Sequence, residues 1–268
     1  KKDLMIQIND KDVSLSTFLD ELLSYCESNE NIKKTPEYAG IKDYLRSCIL
    51  QGAPLNLVNG KTLKFGNELF KEIFEKDIGH LENIFVISII GAQGSAKSTL
   101  LNVLFGCGFS TSAGRCTKGI YISLLHHPSG YKIMVIDTEG LLSVVARDHE
   151  FDNLIATMAF SCSHMVIINN KGEINAKLRD LLEICVFAMK HLKLTTIKPK
   201  IVFALRDMTD NSDKSQQEMF LSMKESLEKA ANKFDINLDH IIDFSQEDIF
   251  LLPSAFQLSK SSNKINIL

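Results

Sequence analysis

The sequence predicts an α/β fold: a mostly parallel sheet flanked by helices, preceded by a small N-terminal helical segment. Three observations carry that expectation. From residue 84 onward, short apolar runs alternate with stretches of helical periodicity. The first run, Ile84-Phe85-Val86-Ile87-Ser88-Ile89-Ile90, leads directly into Gly91-Ala92-Gln93-Gly94-Ser95-Ala96-Lys97-Ser98, a glycine-bearing loop of the kind that cradles phosphate. Two later runs end in acids, Asp137 and Asp207, at the strand ends where an open parallel sheet binds its ligands.

Residues 1–83 form the expected first segment. Thr17, with Asp20 three positions on, is a candidate N-cap. Tyr38, Ile41, Tyr44, Leu45, Cys48 and Ile49 follow helix spacing, as do Leu69, Phe70, Ile73 and Phe74. Between them, 51–66 holds Gly52, Pro54, Gly60 and Gly66 and reads as a connection. Residues 84–268 form the second domain. Strands are expected at 84–90, 120–126, 131–136, 165–169, 200–205 and 248–252, and helices at 97–105, 150–161, 175–191 and 214–233. Strands this continuously apolar belong in a sheet covered on both faces by helices.

The chain has 268 residues, 45% of them hydrophobic, which is enough for one large domain or one domain with an appendage. With 30 basic and 33 acidic residues the net charge is −3, so there is no electrostatic footprint for nucleic acid or for an anionic membrane. The six cysteines form no C-x-x-C pair and read as free thiols of a reducing, cytoplasmic setting. No apolar run approaches the ~18–20 residues of a membrane span. The chain starts at Lys1 without a methionine, as a piece of a longer polypeptide would.

In the pattern G-x-x-x-x-G-K-[ST], backbone N–H groups wrap the phosphates, the lysine neutralises the outer ones and the next hydroxyl holds Mg²⁺. Gly91, Gly94, Ser95, Lys97, Ser98 and Thr99 supply that loop and the helical turn after it, but Ala96 stands where the pattern has its second glycine. Its methyl lies where backbone and phosphate nearly touch. Further along, Thr117 in Ser112-Ala113-Gly114-Arg115-Cys116-Thr117-Lys118-Gly119 is placed to close over Mg²⁺ and the γ-phosphate as a switch; the alternative is an ordinary loop hydroxyl. Asp137 can hold Mg²⁺ through water and the Gly140 N–H can sense the γ-phosphate, although an acid at a strand end also forms turns. Asp207, after Arg206, can accept paired hydrogen bonds from N1 and N2 of guanine, which adenine cannot offer; the alternative is a surface ion pair.

Taken in order, the phosphate loop, Arg115-Cys116-Thr117-Lys118-Gly119, Asp137-Thr138-Glu139-Gly140 and Leu205-Arg206-Asp207 resemble the guanylate-binding-protein and atlastin group of dynamin-related large GTPases. Within that group the chain is most similar to the interferon-inducible very large GTPases. Lys97-Ser98-Thr99-Leu100-Leu101-Asn102 and Asn169-Asn170-Lys171-Gly172-Glu173 add to the likeness, which spans roughly residues 53–255. The resemblance implies a P-loop GTPase G domain that binds GTP and Mg²⁺ and forms a homodimer or higher oligomer. Ser98, Thr117 and Asp137 would hold the metal. Gly91, Gly94, Ser95, Ala96, Lys97, Ser98, Thr99, Gly140, Arg206 and Asp207 would contact the nucleotide.

The same family places a catalytic arginine where this chain has Gly94. An arginine finger is worth about 10³–10⁵ in rate, so hydrolysis is expected to be weak. Arg115 is the nearest substitute and, with Lys97 and Thr117, a candidate catalytic residue; the alternative for Arg115 is a solvated loop arginine. Two functions stay open: a GTP-dependent oligomerisation switch, and a pseudo-GTPase scaffold that binds no nucleotide or does not turn it over. An ATP-using enzyme is disfavoured by Asp207. His126 and His127 are neighbours on one expected strand, so their side chains point to opposite faces and read as structural. Cys107 and Cys116 lack zinc-site spacing.

Overall fold

The computed structural model describes residues 25–26, 28–60, 71–72, 74–78, 84–111, 119–142, 149–172, 175–191, 199–237 and 244–253. The strands are β1 (Leu55–Asn59), β2 (Ile84–Ile90), β3 (Gly119–His126), β4 (Lys132–Thr138), β5 (Met165–Lys171), β6 (Lys200–Met208) and β7 (Ile249–Pro253). They form one seven-stranded sheet in the order β1-β3-β4-β2-β5-β6-β7. β4, β2, β5, β6 and β7 run parallel, while β3 and β1 are added antiparallel at one side. The described helices are α1 (Glu30–Lys33), α2 (Pro36–Leu50), α3 (Lys97–Phe105), α4 (His149–Cys162), α5 (Ala176–His191) and α6 (Asp213–Lys233).

The expected mostly parallel sheet is present because its strands bury side chains on both faces, as period-two pleating requires. Ile87, Ile89, Val135 and Ile167 pack with Leu101 of α3 and with Phe109. Their neighbours Ile90, Ile136 and Ile168 face the larger cluster, which takes in Phe160 of α4, Leu181 of α5 and Leu227 of α6. Ser88 is buried on β2, and its hydroxyl pairs with that of Ser163. Helix ends follow their caps: Thr35 accepts from the Tyr38 N–H before Pro36 opens α2, and Ser212 accepts from the Ser215 N–H at the start of α6.

One expectation needs correction. The stretch 51–66, read as a connection, carries a strand: β1 pairs antiparallel with β3, Leu55 opposite Ile122 and Asn59 opposite Gly119. Pro54 and Gly60 bracket only five residues, and an edge strand this short is decided by its distant partner rather than by local pattern. Consequently the sheet begins upstream of residue 84. Thr17, Leu69, Phe70 and Ile73 lie outside the described residues; Phe74–Ile78 forms one wide helical turn.

After β2 the chain passes through β3 to β4 on one side of β2, then returns to β5 on the other. That reversal opens a crevice at the carboxyl end of β2, the place where open α/β sheets bind ligands. The loop 91–96 occupies it.

Gly119 fastens the β1 edge. It has φ +90°, and a Cβ there would stand 1.9 Å from the Val58 carbonyl oxygen and 2.6 Å from the Gly60 nitrogen. Neither backbone can yield without breaking the β1 ladder. Gly119→Ala is therefore expected to lower unfolding free energy by about 2–4 kcal/mol, from left-handed strain plus overpacking. Urea unfolding of both proteins checks this; an unchanged midpoint would disprove the backbone contact.

Candidate functional site

The loop between β2 and α3 is built by turning its carbonyls toward partners. The Gly91 carbonyl accepts from the Leu141 N–H at 3.0 Å and from Lys97 Nζ at 3.3 Å. Ala92 O accepts from the Ser95 N–H at 3.1 Å and from Lys97 Nζ at 3.4 Å. The Ser95 carbonyl accepts from Asn169 Nδ2 at 2.6 Å and also from Arg206 Nη2. The Ala96 carbonyl takes the first helical bond, from the Leu100 N–H at 3.0 Å. Glycine is required at 91, because a Cβ would lie 2.3 Å from the Asn169 carbonyl oxygen. Gly94 has φ +73° and faces open space.

Ala96 sits at φ 53°, ψ 42°, the left-handed conformation that glycine usually supplies. Position 96 therefore keeps, without glycine, the backbone conformation that glycine usually supplies. Ala96 is also the N-cap of α3, and no side chain caps that end. The first-turn N–H groups of α3, at Lys97, Ser98 and Thr99, have no intrahelical acceptor, so the helix presents an anion-binding terminus.

Lys97 is buried beneath the loop it holds. Burial pulls its ammonium down to about 8; Asp137 opposes that fall and Arg206 adds to it. Ser98 Oγ donates to Asp137 Oδ2 at 2.6 Å, bringing the hydroxyl from the first turn of α3 against the carboxylate at the end of β4. Beside them, Thr138 Oγ1 donates to the Ile89 carbonyl at 2.6 Å. Leu141, one residue beyond Gly140, exchanges hydrogen bonds with the loop, Gln93 N–H to Leu141 O at 2.9 Å and Leu141 N–H to Gly91 O. Glycine at 140 permits this: a Cβ there would stand 2.4 Å from Gln93 Cα. Sequence patterning placed Lys97, Ser98, Asp137 and Gly140 in one site, and the structure brings all of them to the loop.

At the end of β6 the ladder with β7 is interrupted between Arg206 and Met208, and Asp207 is the residue displaced, at φ 59°. Its carboxylate lies half-exposed, 3.7 Å from the ammonium of Lys171 at the end of β5. The sequence reading missed two members of this cluster as site residues. Lys171 is one. The other is Asn169, fully buried on β5, which bonds Ser95 and accepts from Arg206 Nε at 2.9 Å. The signal was available: two amides, Asn169 and Asn170, close an otherwise apolar buried strand, and buried amides need partners.

Thr117 and Arg115 lie outside the described residues, as does Cys116. Gly119, the first described residue after them, donates its N–H to Glu139 Oε2 at 2.6 Å while the Glu139 N–H donates to Gly119 O at 2.7 Å. His126 Nε2 meets the Leu50 carbonyl at 2.9 Å and His127 Nδ1 accepts from the Ser129 N–H, both structural roles. Burial pushes the Cys107 thiol up to about 11, so it is not a reactive or ligating thiolate. Among the described residues no group of three His, Cys, Asp or Glu side chains is placed to hold a metal. Ser98 and Asp137 suit Mg²⁺, a hard cation that keeps several waters and takes its other oxygens from phosphates. Among the described residues no helix is long and apolar enough to cross a membrane.

A mostly parallel sheet with a carbonyl-braced loop at its switch point, a buried lysine and a hydroxyl–carboxylate pair defines a phosphate-loop nucleotide-binding domain. Comparison with known proteins specifies the kind. The URGCP-like GTPase domain family matches residues 1–251, and the chain belongs to that family. It is 35% identical over 201 residues to interferon-induced very large GTPase 1 of Mus musculus, covering 67% of this chain and 8% of that protein. It is 27% identical over 179 residues to the up-regulator of cell proliferation of Bos taurus, covering 61% of this chain and 19% of that protein. Protein SEY1 homolog 2 of Paramecium tetraurelia is 34% identical over 151 residues, covering 51% of this chain and 19% of that protein. The chain thus spans only a small part of each of these relatives.

Two outcomes follow from the loop. Burial lowers the Lys97 pKa to about 8, against about 10.4 for a lysine in an unfolded chain. Between those values the unfolded state binds more protons, so Lys97's contribution to stability rises with pH there. Phosphate binding needs the ammonium and runs the other way. Affinity for GDP is expected to fall about fivefold between about pH 8 and about pH 9, and Lys97→Met is expected to bind poorly at both. Calorimetric titration across that range decides; a flat profile in the unsubstituted protein would show that Lys97 keeps its proton.

The second outcome concerns Ala96. Its left-handed strain is already present without nucleotide, so relieving it should appear in stability rather than in affinity. Ala96→Gly is expected to raise unfolding free energy by about 0.5–1 kcal/mol, relief of strain less the added freedom of the unfolded chain. GTP affinity should change by less than about tenfold, a difference of 1.4 kcal/mol. Urea unfolding and GTP titration of the two proteins test both halves, and a hundredfold tightening would mean that the methyl itself crowds the phosphate.

Proposed function

We infer that this domain binds GTP together with Mg²⁺ and serves as a guanine-nucleotide switch with weak hydrolysis, assembling into oligomers through the G domain. One convergence carries this function: Lys97, the Ser98–Asp137 pair and Asp207 stand at neighbouring strand ends around a single loop. Membership of a GTPase family supports guanine as the base. The N–H groups at the start of α3 and the Lys97 ammonium take up phosphate charge. Ser98 and Asp137 would hold Mg²⁺ together with Thr117; the ion, when bound, withdraws charge from the phosphate oxygens. Asp207 accepts from guanine N1 and N2, exchanging its ion pair with Lys171 for two charge-assisted hydrogen bonds. The free thiols fit a cytoplasmic setting.

A second function, a scaffold that binds nucleotide without turning it over, is favoured by one observation. Position 94 carries glycine at φ +73°, so the loop supplies no arginine to the developing charge. Phosphate release from GTP under single-turnover conditions separates the two. Release accelerated by protein association supports the switch, and none at any concentration supports the scaffold.

Asp207→Asn tests the base. Loss of a charge-assisted pair is expected to weaken GTP binding by about 1.5–3 kcal/mol, roughly ten- to hundredfold, while ATP binding stays nearly unchanged. Equal GTP and ATP affinities in the unsubstituted protein would remove guanine selection by Asp207.

A further inference from the structure

Arg206 and Asp207 are consecutive, yet they serve different ends of the site. Asp207 turns out of the ladder toward Lys171. Arg206 reaches back to the phosphate loop, with Nε donating to Asn169 Oδ1 at 2.9 Å and Nη2 to the Ser95 carbonyl. Asn169 closes the triangle, its Nδ2 donating to the same carbonyl at 2.6 Å and lying 3.2 Å from Ser95 Oγ. Ser95 and Asn169 are buried, so these bonds are made away from water.

The Ser95 carbonyl belongs to the peptide that enters Ala96. A trans peptide points its C=O and N–H in opposite directions, so holding the Ser95 oxygen against β5 and β6 turns the Ala96 N–H the other way, toward the mouth of the loop. Ala96 itself resists this conformation, being left-handed without being glycine. The loop therefore needs an external restraint at that peptide, and two donors converge on it.

The geometry assigns to Arg206 a positioning role: with Asn169 it clamps the Ser95 carbonyl, holding the phosphate loop open in its left-handed form and joining it to the strand end that reads the base. The planar guanidinium spans two acceptors, the Asn169 amide oxygen and the Ser95 carbonyl, which a lysine ammonium on a flexible stem cannot reproduce. This role rests on reading 91–98 as a nucleotide cradle, and the test keeps the two apart.

Hydrogen exchange of peptides covering 91–98 in the nucleotide-free protein reads the clamp directly. Arg206→Ala and Arg206→Lys are both expected to speed exchange there about tenfold or more, with urea midpoints close to that of the unsubstituted protein. Titration with GDP and ADP in Mg²⁺ reads the consequence. Both variants should lose about tenfold or more for each nucleotide, leaving the ratio between them unchanged, because the loop serves any phosphate whereas Asp207 alone reads the base. Unaltered exchange in Arg206→Ala overturns the clamp. So does Arg206→Lys with protection and affinity equal to the unsubstituted protein, since a positive charge would then suffice. If the unsubstituted protein binds neither nucleotide, the functional reading fails and the exchange measurement alone judges the clamp.

Discussion

A loop that offers N–H groups to an anion must place its carbonyls somewhere else, and everything at this site answers that constraint. Gly91, Ala92 and Ser95 each pass a carbonyl to donors from outside the loop or from the lysine beneath it. Those donors come from the segment after β4, from α3, from β5 and from β6. The strand order β4-β2-β5-β6 is what puts them within reach of residues that follow β2. Shift the register of β5 by one residue and Asn169 leaves the loop for the opposite face of the sheet. The site is therefore a property of the sheet as a whole.

Much of this was legible in the sequence where a residue's role is local. Runs apolar at nearly every position could only be buried on both faces, and β2, β5 and β6 appear where that pattern places them. Lys97 follows its loop by covalent connection, and Asp137 ends a strand that had to run beside β2. Roles set by long-range partners were not legible. β1 is five residues between Pro54 and Gly60, and its identity depends on β3, 60 or more positions on. Asn169 reads as one polar letter after an apolar run; its work depends on a serine 74 residues upstream.

Asp207 shows how local and distant information combine. Its carboxylate and its place after Leu205 were visible, but not the bulge that lifts it from the ladder with β7. The bulge matters because a side chain in register would point into one face of the sheet. At φ 59° the backbone turns the carboxylate toward the sheet's end, where Lys171 already neutralises it. Non-glycine residues rarely adopt this conformation, and such strain persists where the surrounding structure over-determines it.

Ala96 belongs to the same class, and together with Lys97 it bears on what the domain is for. A left-handed alanine, a buried ammonium held well below its ordinary range and a helix start without a side-chain cap are three unfavourable features in consecutive residues. A domain kept only as a scaffold has no need of them: glycine would relax the first, an apolar side chain the second and a serine the third. An anion at the loop would relieve the last two at once, stabilising the lysine's charge and accepting from the N–H groups at the start of α3. The unfavourable terms are thus concentrated at the one place where a phosphate would offset them, which favours nucleotide binding as the purpose of the loop.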